Sequence, residues 1–216
     1  MKKLILSFAI LVAAHSISYG GLLDRSVDFA DLAKLSEEGL QALKDTEFEV
    51  FLANVSLARA KTEEDVARDS LKGAEDNLDK ERLNLKAAKA EYKAAQANQD
   101  AERMSNVEKT LQKVKEAIKT AELGVKWREK EVNARKTGVK KAKLGVELSE
   151  NERDLARISR LVTEKISSAN KYSLADYKSK QKKNQEDYQK AMDKEKREML
   201  EAEQLKAQHE KRAGGA

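Results

Sequence analysis

The chain has no cysteine and no proline, and aromatic residues fill only 5% of its 216 positions. Without cysteine there is no disulfide, no thiolate ligand for a metal and no thiol nucleophile. Without proline no position carries the residue that breaks helices most strongly. Four Phe, five Tyr and one Trp leave little material for a compact globular core. Histidine is almost missing as well: His209 alone lies beyond the first twenty residues, so Ser-His systems and histidine metal sites are not expected. No G-x-G-x-x-G or G-x-x-x-x-G-K stretch occurs, and the many carboxylates are spread around helix faces with no sign of a pocket to tune them. The expectation is therefore a protein that is not an enzyme and uses no cofactor and no metal. Trp127 reads as a partly exposed packing residue.

Long apolar runs are also scarce, and the single one stands at the start. Lys2 and Lys3 precede an apolar stretch from Leu4 to Ala14, followed by S-I-S-Y-G. That order of basic, apolar and small residues predicts a secretory signal peptide over 1–20. Ser18 and Gly20 suit the −3 and −1 sites, which places cleavage before Gly21, with a site near Ser18 as the alternative. The run is too short to span a bilayer, which takes roughly 20 apolar residues. The mature chain is thus expected to have no transmembrane segment and to be periplasmic or secreted; a buried N-terminal helix or a retained anchor is the competing possibility.

What the chain does have is charge and helix-forming residues. Asp, Glu, Lys and Arg make up 38% of it, and together with Ala and Leu they are the residues that lose least on entering a helix. A disordered chain would share the charge but would have no reason to keep apolar residues in register. Here Met104, Leu111, Ile118, Val125, Val132, Val139 and Val146 recur every seven residues, the signature of a coiled-coil seam. The companion positions Val107, Val114, Ala121, Arg128, Arg135, Ala142 and Ser149 begin apolar and become polar or small. Ala117, Gly124, Gly138 and Gly145 stand just before seam residues. Because each Gly inside a helix costs about 1 kcal/mol against Ala, a closely packed partner helix accounts for them better than chance. A separate register holds Leu71, Leu78, Leu85 and Tyr92, with Ala74, Ala88 and Ala95 beside them. Between the two registers, the polar stretch 96–106 is either a hairpin turn or a stutter. Leu144, Leu148, Leu155, Ile158 and Val162 continue the stripe to I-S-S-A-N, residues 166–170, whose Ser and Asn can cap a following helix.

The fold class expected is all-α, built from long antiparallel coiled-coil helices in helical hairpins, with no β domain. Helices near 26–97, 103–164 and 169–212 would measure on the order of 105, 90 and 65 Å. Residues 21–57 form an apolar helical head or the start of the first helix, 58–164 the long coiled-coil helices, 165–212 a tip turn and returning helix, and 213–216 a disordered tail. With no disulfide to help, stability comes from helix packing and from a homo-oligomer.

Charge is uneven along the chain. Residues 21–100 carry net −6 and residues 101–216 net +9, which favours antiparallel pairing of the halves. The net charge after cleavage is too small to argue for nucleic acid, and no nucleic-acid partner is expected. The basic run from Lys178 to Lys183 is either a solvated helix face or a contact for an acidic partner or anionic lipid.

One local stretch is more informative: R-I-S-R-L-V-T-E-K-I-S-S-A-N-K-Y-S-L-A-D-Y-K, residues 157–178. It resembles the α-helical hairpin tip of the periplasmic adaptor, or membrane-fusion, proteins of bacterial efflux pumps and type I secretion systems. In that family an Arg, a Leu four residues on and a Ser seven further on meet the tip of an outer-membrane channel. Arg157, Leu161 and Ser168 stand at those spacings, with Tyr172, Ala175 and Asp176 on the returning helix. The resemblance implies a partner-binding tip near Ser167 and an envelope protein or channel tip as partner. An exposed Arg fork beside an apolar knob suits such docking. The expected function is therefore an exported coiled-coil interaction protein of the bacterial envelope, an adaptor-like hairpin in efflux or secretion. A periplasmic holdase-type chaperone and a structural envelope spacer are the alternatives. A chaperone suppresses aggregation, an adaptor binds a channel tip, and a spacer does neither.

Overall fold

A computed structural model describes residues 27–214; the expected signal segment and its cleavage site lie outside the described residues. All regular structure among the described residues is helical: α1 (Phe29–Leu32), α2 (Glu37–Gln41), α3 (Lys44–Ala97), α4 (Ala101–Thr163) and α5 (Leu174–Gly214), with a 3-10 turn at Ser167–Lys171. The three long helices hold 54, 63 and 41 residues, or about 81, 95 and 62 Å. Helix α4 is central. Helices α3 and α5 both pack along it, antiparallel to it, so the all-α hairpin architecture expected from sequence is the one observed. No helix among the described residues is long and apolar enough to cross a membrane.

The α3 side facing α4 is a heptad stripe running from Val50 through Ala53, Leu57, Ala60, Ala67, Leu71, Ala74, Leu78, Leu85, Ala88 and Tyr92 to Ala95, all buried or half-buried. Alanine at 53, 60, 67, 74, 88 and 95, with Glu81 the exception in that series, lets the two backbones approach closely. Opposite them lie the Met104 series and its companions, with Val107, Ala121, Val132 and Val139 buried. The two registers seen in sequence thus close on each other within one chain. Where the companion series turns to arginine, the structure supplies acids: Arg135 Nη1 lies 2.7 Å from Glu63 of α3.

The glycines of α4 belong to the other interface. Tyr188, Glu195 and His209 of α5, spaced by seven and then fourteen residues, lie over Gly145, Gly138 and Gly124, so the close partner inferred for these glycines is α5. This seam is more polar than the first. Lys141 pairs with Glu195 at 2.5 Å, Lys130 with Glu201 at 2.8 Å and Arg212 with Glu116 at 2.6 Å, while Thr137 Oγ1 donates to Glu198. Two of these bridges set bases of α4 against acids of α5 and the third reverses the sense, so the pairing of acidic with basic half that the uneven charge favoured is met by α3 with α4, while α5 packs within the basic half.

Stretch 96–106 is a hairpin turn, not a stutter. Gln99 takes the left-handed region at φ 53°; its N–H donates to Gln96 O and that of Asp100 to Ala95 O, a Schellman cap that satisfies the last carbonyls of α3. Asp100 then caps α4 by accepting from the Arg103 N–H at 2.9 Å. The second reversal repeats the device: Lys165 has φ 55°, and the Lys165 and Ile166 amides donate to Val162 and Leu161.

Two expected boundaries move. The first long helix starts at Lys44 rather than near residue 26, because Ser36 and Asp28 accept hydrogen bonds from Gly39 and Ala30 and start two separate short helices. The last helix starts at Leu174 rather than Ala169: S-S-A-N-K forms the 3-10 turn, and Ser173 is the residue whose oxygens accept from Asp176 and Tyr177.

Candidate functional site

Residues 27–43 fold back over the end of α4 and, with the 164–173 turn, make a head on the rod. Its apolar core holds Val27, Leu32, Leu35, Leu43, Ile158, Leu161 and Ala169, edged by Ile166, Tyr172, Leu174 and Tyr177. Ile158 and Leu161 are completely enclosed. Such burial of large aliphatic side chains is worth roughly 1.5–3 kcal/mol each and holds the head to the rod.

Two polar clasps add direction. The Tyr172 hydroxyl accepts from the Asp28 N–H at 2.9 Å and donates to Asp31 Oδ2 at 3.0 Å. Asp31 is buried and pairs with Lys34 at 2.8 Å, with Lys171 at 3.6 Å. The Lys34 ammonium first, with the Tyr172 hydroxyl and Lys171, holds the Asp31 carboxyl well below the ordinary carboxylate range against the opposing effect of burial. In the second clasp the Ser36 N–H and hydroxyl donate to Glu164 at 2.7 and 2.8 Å, which lowers the Glu164 pKa. Gly39 packs against this carboxylate, and a Cβ there would collide with it.

The three residues that sequence singled out as partner-binding fall inside this head. Leu161 is 0% exposed and Ser168 5%. The Arg157 side chain is 15% exposed and ion-paired to Glu47 at 2.5 Å and Asp154 at 3.3 Å. The fold brings them to one end of the rod, as their spacing about a turn requires, where residues 27–43 pack over Leu161 and Ser168 and Glu47 of α3 engages Arg157. In this conformation they fix the turn and are not presented to a partner. Of the returning-helix residues, Tyr172 belongs to the clasp, while Ala175 and Asp176 are exposed.

What the head end presents instead is apolar side chains. Phe29, Leu40, Phe48, Phe51, Leu52, Val55 and Val162 are all exposed there. In sequence the Phe29–Leu57 stretch stands out as the most apolar of the mature chain, a small helical head or an interface, and the heptad phase of Val50, Ala53 and Leu57 then puts Phe48, Phe51, Leu52 and Val55 on the opposite face of α3. Elsewhere the surface is mostly polar and charged, and Val66, Leu83, Met192 and Leu200 are the large apolar side chains exposed along the described part of the rod. The open concavity beside the far turn is lined by Glu91, Asp100, Glu102, Arg103, Asn106 and Thr110, and its Arg103 pairs with Glu91. Trp127 is half-buried beneath the Arg128 guanidinium, 3.6 Å above its ring, as expected of a packing residue.

No protein-family model matches the chain, and neither a curated protein nor a solved structure matches it.

Proposed function

We propose that this chain is an exported coiled-coil interaction protein of the bacterial envelope that docks by the head end of its rod, in the manner of an adaptor hairpin in efflux or secretion. Its partner is the helical end of an outer-membrane channel or an analogous envelope protein. One observation carries this: seven exposed apolar side chains gather at one end of a rod on which the other large exposed ones, Val66, Leu83, Met192 and Leu200, stand apart from them, and such concentrations mark binding surfaces. The turn at 164–173 is part of the same end, so Val162 (54% exposed), Lys165 and Lys171 stand where a partner can reach them. Arg157, Leu161 and Ser168 support the docking surface from beneath. Holdase activity would use the same apolar cluster, but on unfolded clients.

Val162→Glu and Lys165→Glu alter exposed groups and leave the helices intact. The protein should co-fractionate with outer-membrane vesicles, and either substitution should weaken that association. Absence of association in the wild type, or association unchanged in both variants, overturns docking by this end; suppression of aggregation without any vesicle binding favours the holdase alternative.

A further inference from the structure

Helix α3 has one face that nothing in the chain covers. Phe48, Phe51, Leu52 and Val55 follow one another at i, i+3, i+4 and i+7, with exposures of 57, 59, 40 and 49%, and the Phe48 and Phe51 rings stack 6.1 Å apart. This is the spacing by which an amphipathic helix lays its apolar face on another helix. The stripe is flanked by Asp45 and Glu49, both exposed and in no ion pair with any described residue. Acidic flanks repel an anionic lipid surface and call for a cationic partner.

A cationic surface stands at the same height on the same molecule. The α4 segment around Asn151 touches α5 through Asn151 Nδ2 and Tyr177 O at 3.0 Å and through Glu152 and Gln181 at 3.4 Å. A turn further on, Arg157 reaches Glu47 of α3. The start of α3 and the start of α5 are therefore level. Lys178, Lys182 and Lys183 on that first part of α5 are exposed and form no ion pair with a described residue.

We propose that two copies of this chain associate through their head ends, the α3 stripe of each lying against the first turns of α5 of the other across a two-fold axis. Asp45 and Glu49 then face Lys178, Lys182 and Lys183 of the second copy, twice, and Phe48 and Phe51 leave water. The contact is closed, because a stripe and a basic run at equal height are exchanged by the axis and no third copy is recruited. It deepens the head-end docking reading by naming the occupant of the α3 face, while the 162–171 turn stays open to an envelope protein.

Sedimentation velocity on the full exported chain across the micromolar range tests this. The wild type should show a reversible monomer–dimer equilibrium that weakens with salt. Phe48→Ser with Phe51→Ser, which removes only exposed groups, should raise the dimer dissociation constant at least about tenfold with helicity unchanged. Asp45→Lys with Glu49→Lys should weaken the dimer, and adding Lys182→Glu and Lys183→Glu should restore it. A wild type that stays monomeric, a dimer indifferent to the phenylalanine substitutions, or failure of the charge swap to rescue would each overturn the proposal. So would binding to phosphatidylglycerol vesicles, lost in the phenylalanine variant, in place of self-association. A monomer that still co-fractionates with outer-membrane vesicles would separate this failure from a failure of head-end docking.

Discussion

Replacing Leu161 by Ala separates a core residue from a docking residue. Leu161 is fully enclosed and packs with Leu32, Leu35 and Ile158. Its truncation removes three carbons, about 2.4 kcal/mol of transfer free energy at roughly 0.8 per methylene. The residual cavity adds to this, giving about 3–4 kcal/mol within the usual range for buried leucines. That loss falls on the head alone. Residues 27–43 touch the rod only at this end, whereas α3 and α4 share a seam along their length, so the head should open while the helices persist. Hydrogen exchange read by mass spectrometry should show peptides of 27–43 losing protection by on the order of two decades, with far-UV circular dichroism changed by only a few residues' worth of helix. Leu83→Ala, at a residue 63% exposed, is the neutral control. Full protection of 27–43 in the Leu161→Ala protein would refute the packing argument, and melting of the whole rod would refute the independence of the head.

Other substitutions test other parts of the fold. Lys165→Gly and Gln99→Gly relieve left-handed backbone at exposed side chains, so each should stabilise by about 0.5–1 kcal/mol in denaturant titrations after the extra entropy of an unfolded glycine is subtracted. Gly145→Leu drives a side chain into the space of Tyr188 and should loosen α5 by about 1–3 kcal/mol, seen as faster proteolysis within 174–214. The pKa values of Asp31 and Glu164 are both lowered on folding, so their stabilisation is complete above the unfolded carboxylate range and is lost as pH falls below it toward the folded values. Head protection should thus decline in acid, and Asp31→Asn should flatten that pH dependence.

How much of this was visible in the sequence follows from the range of each signal. The seams were legible because Leu71, Leu78 and Leu85 and the Met104 series repeat every seven residues, a pattern that needs no knowledge of the partner. The far turn was ambiguous because chain reversal is usually announced by glycine, and here Gln99 takes the left-handed conformation instead. The early break of the first helix was signalled only by Ser36 and Asp28 as caps, inside an apolar stretch that reads equally well as helix. Burial of Arg157, Leu161 and Ser168 could not be read locally at all, since the side chains that cover them come from more than a hundred residues away. The seam of α5 was faint because it includes Glu195, Glu198, His209 and Arg212, polar groups that become interfacial only opposite Gly138, Thr137, Gly124 and Glu116 of α4.

The central claim is that the rod binds by its head. A photo-crosslinking amino acid placed in living cells at Lys165, at Phe51 and, for comparison, at Gln99 of the far turn measures this most directly. The account predicts discrete adducts at the head positions, an outer-membrane protein at Lys165 and a second copy of the chain at Phe51, with none at Gln99. Adducts at Gln99 with none at Lys165 or Phe51 would place the binding end at the opposite tip and contradict it.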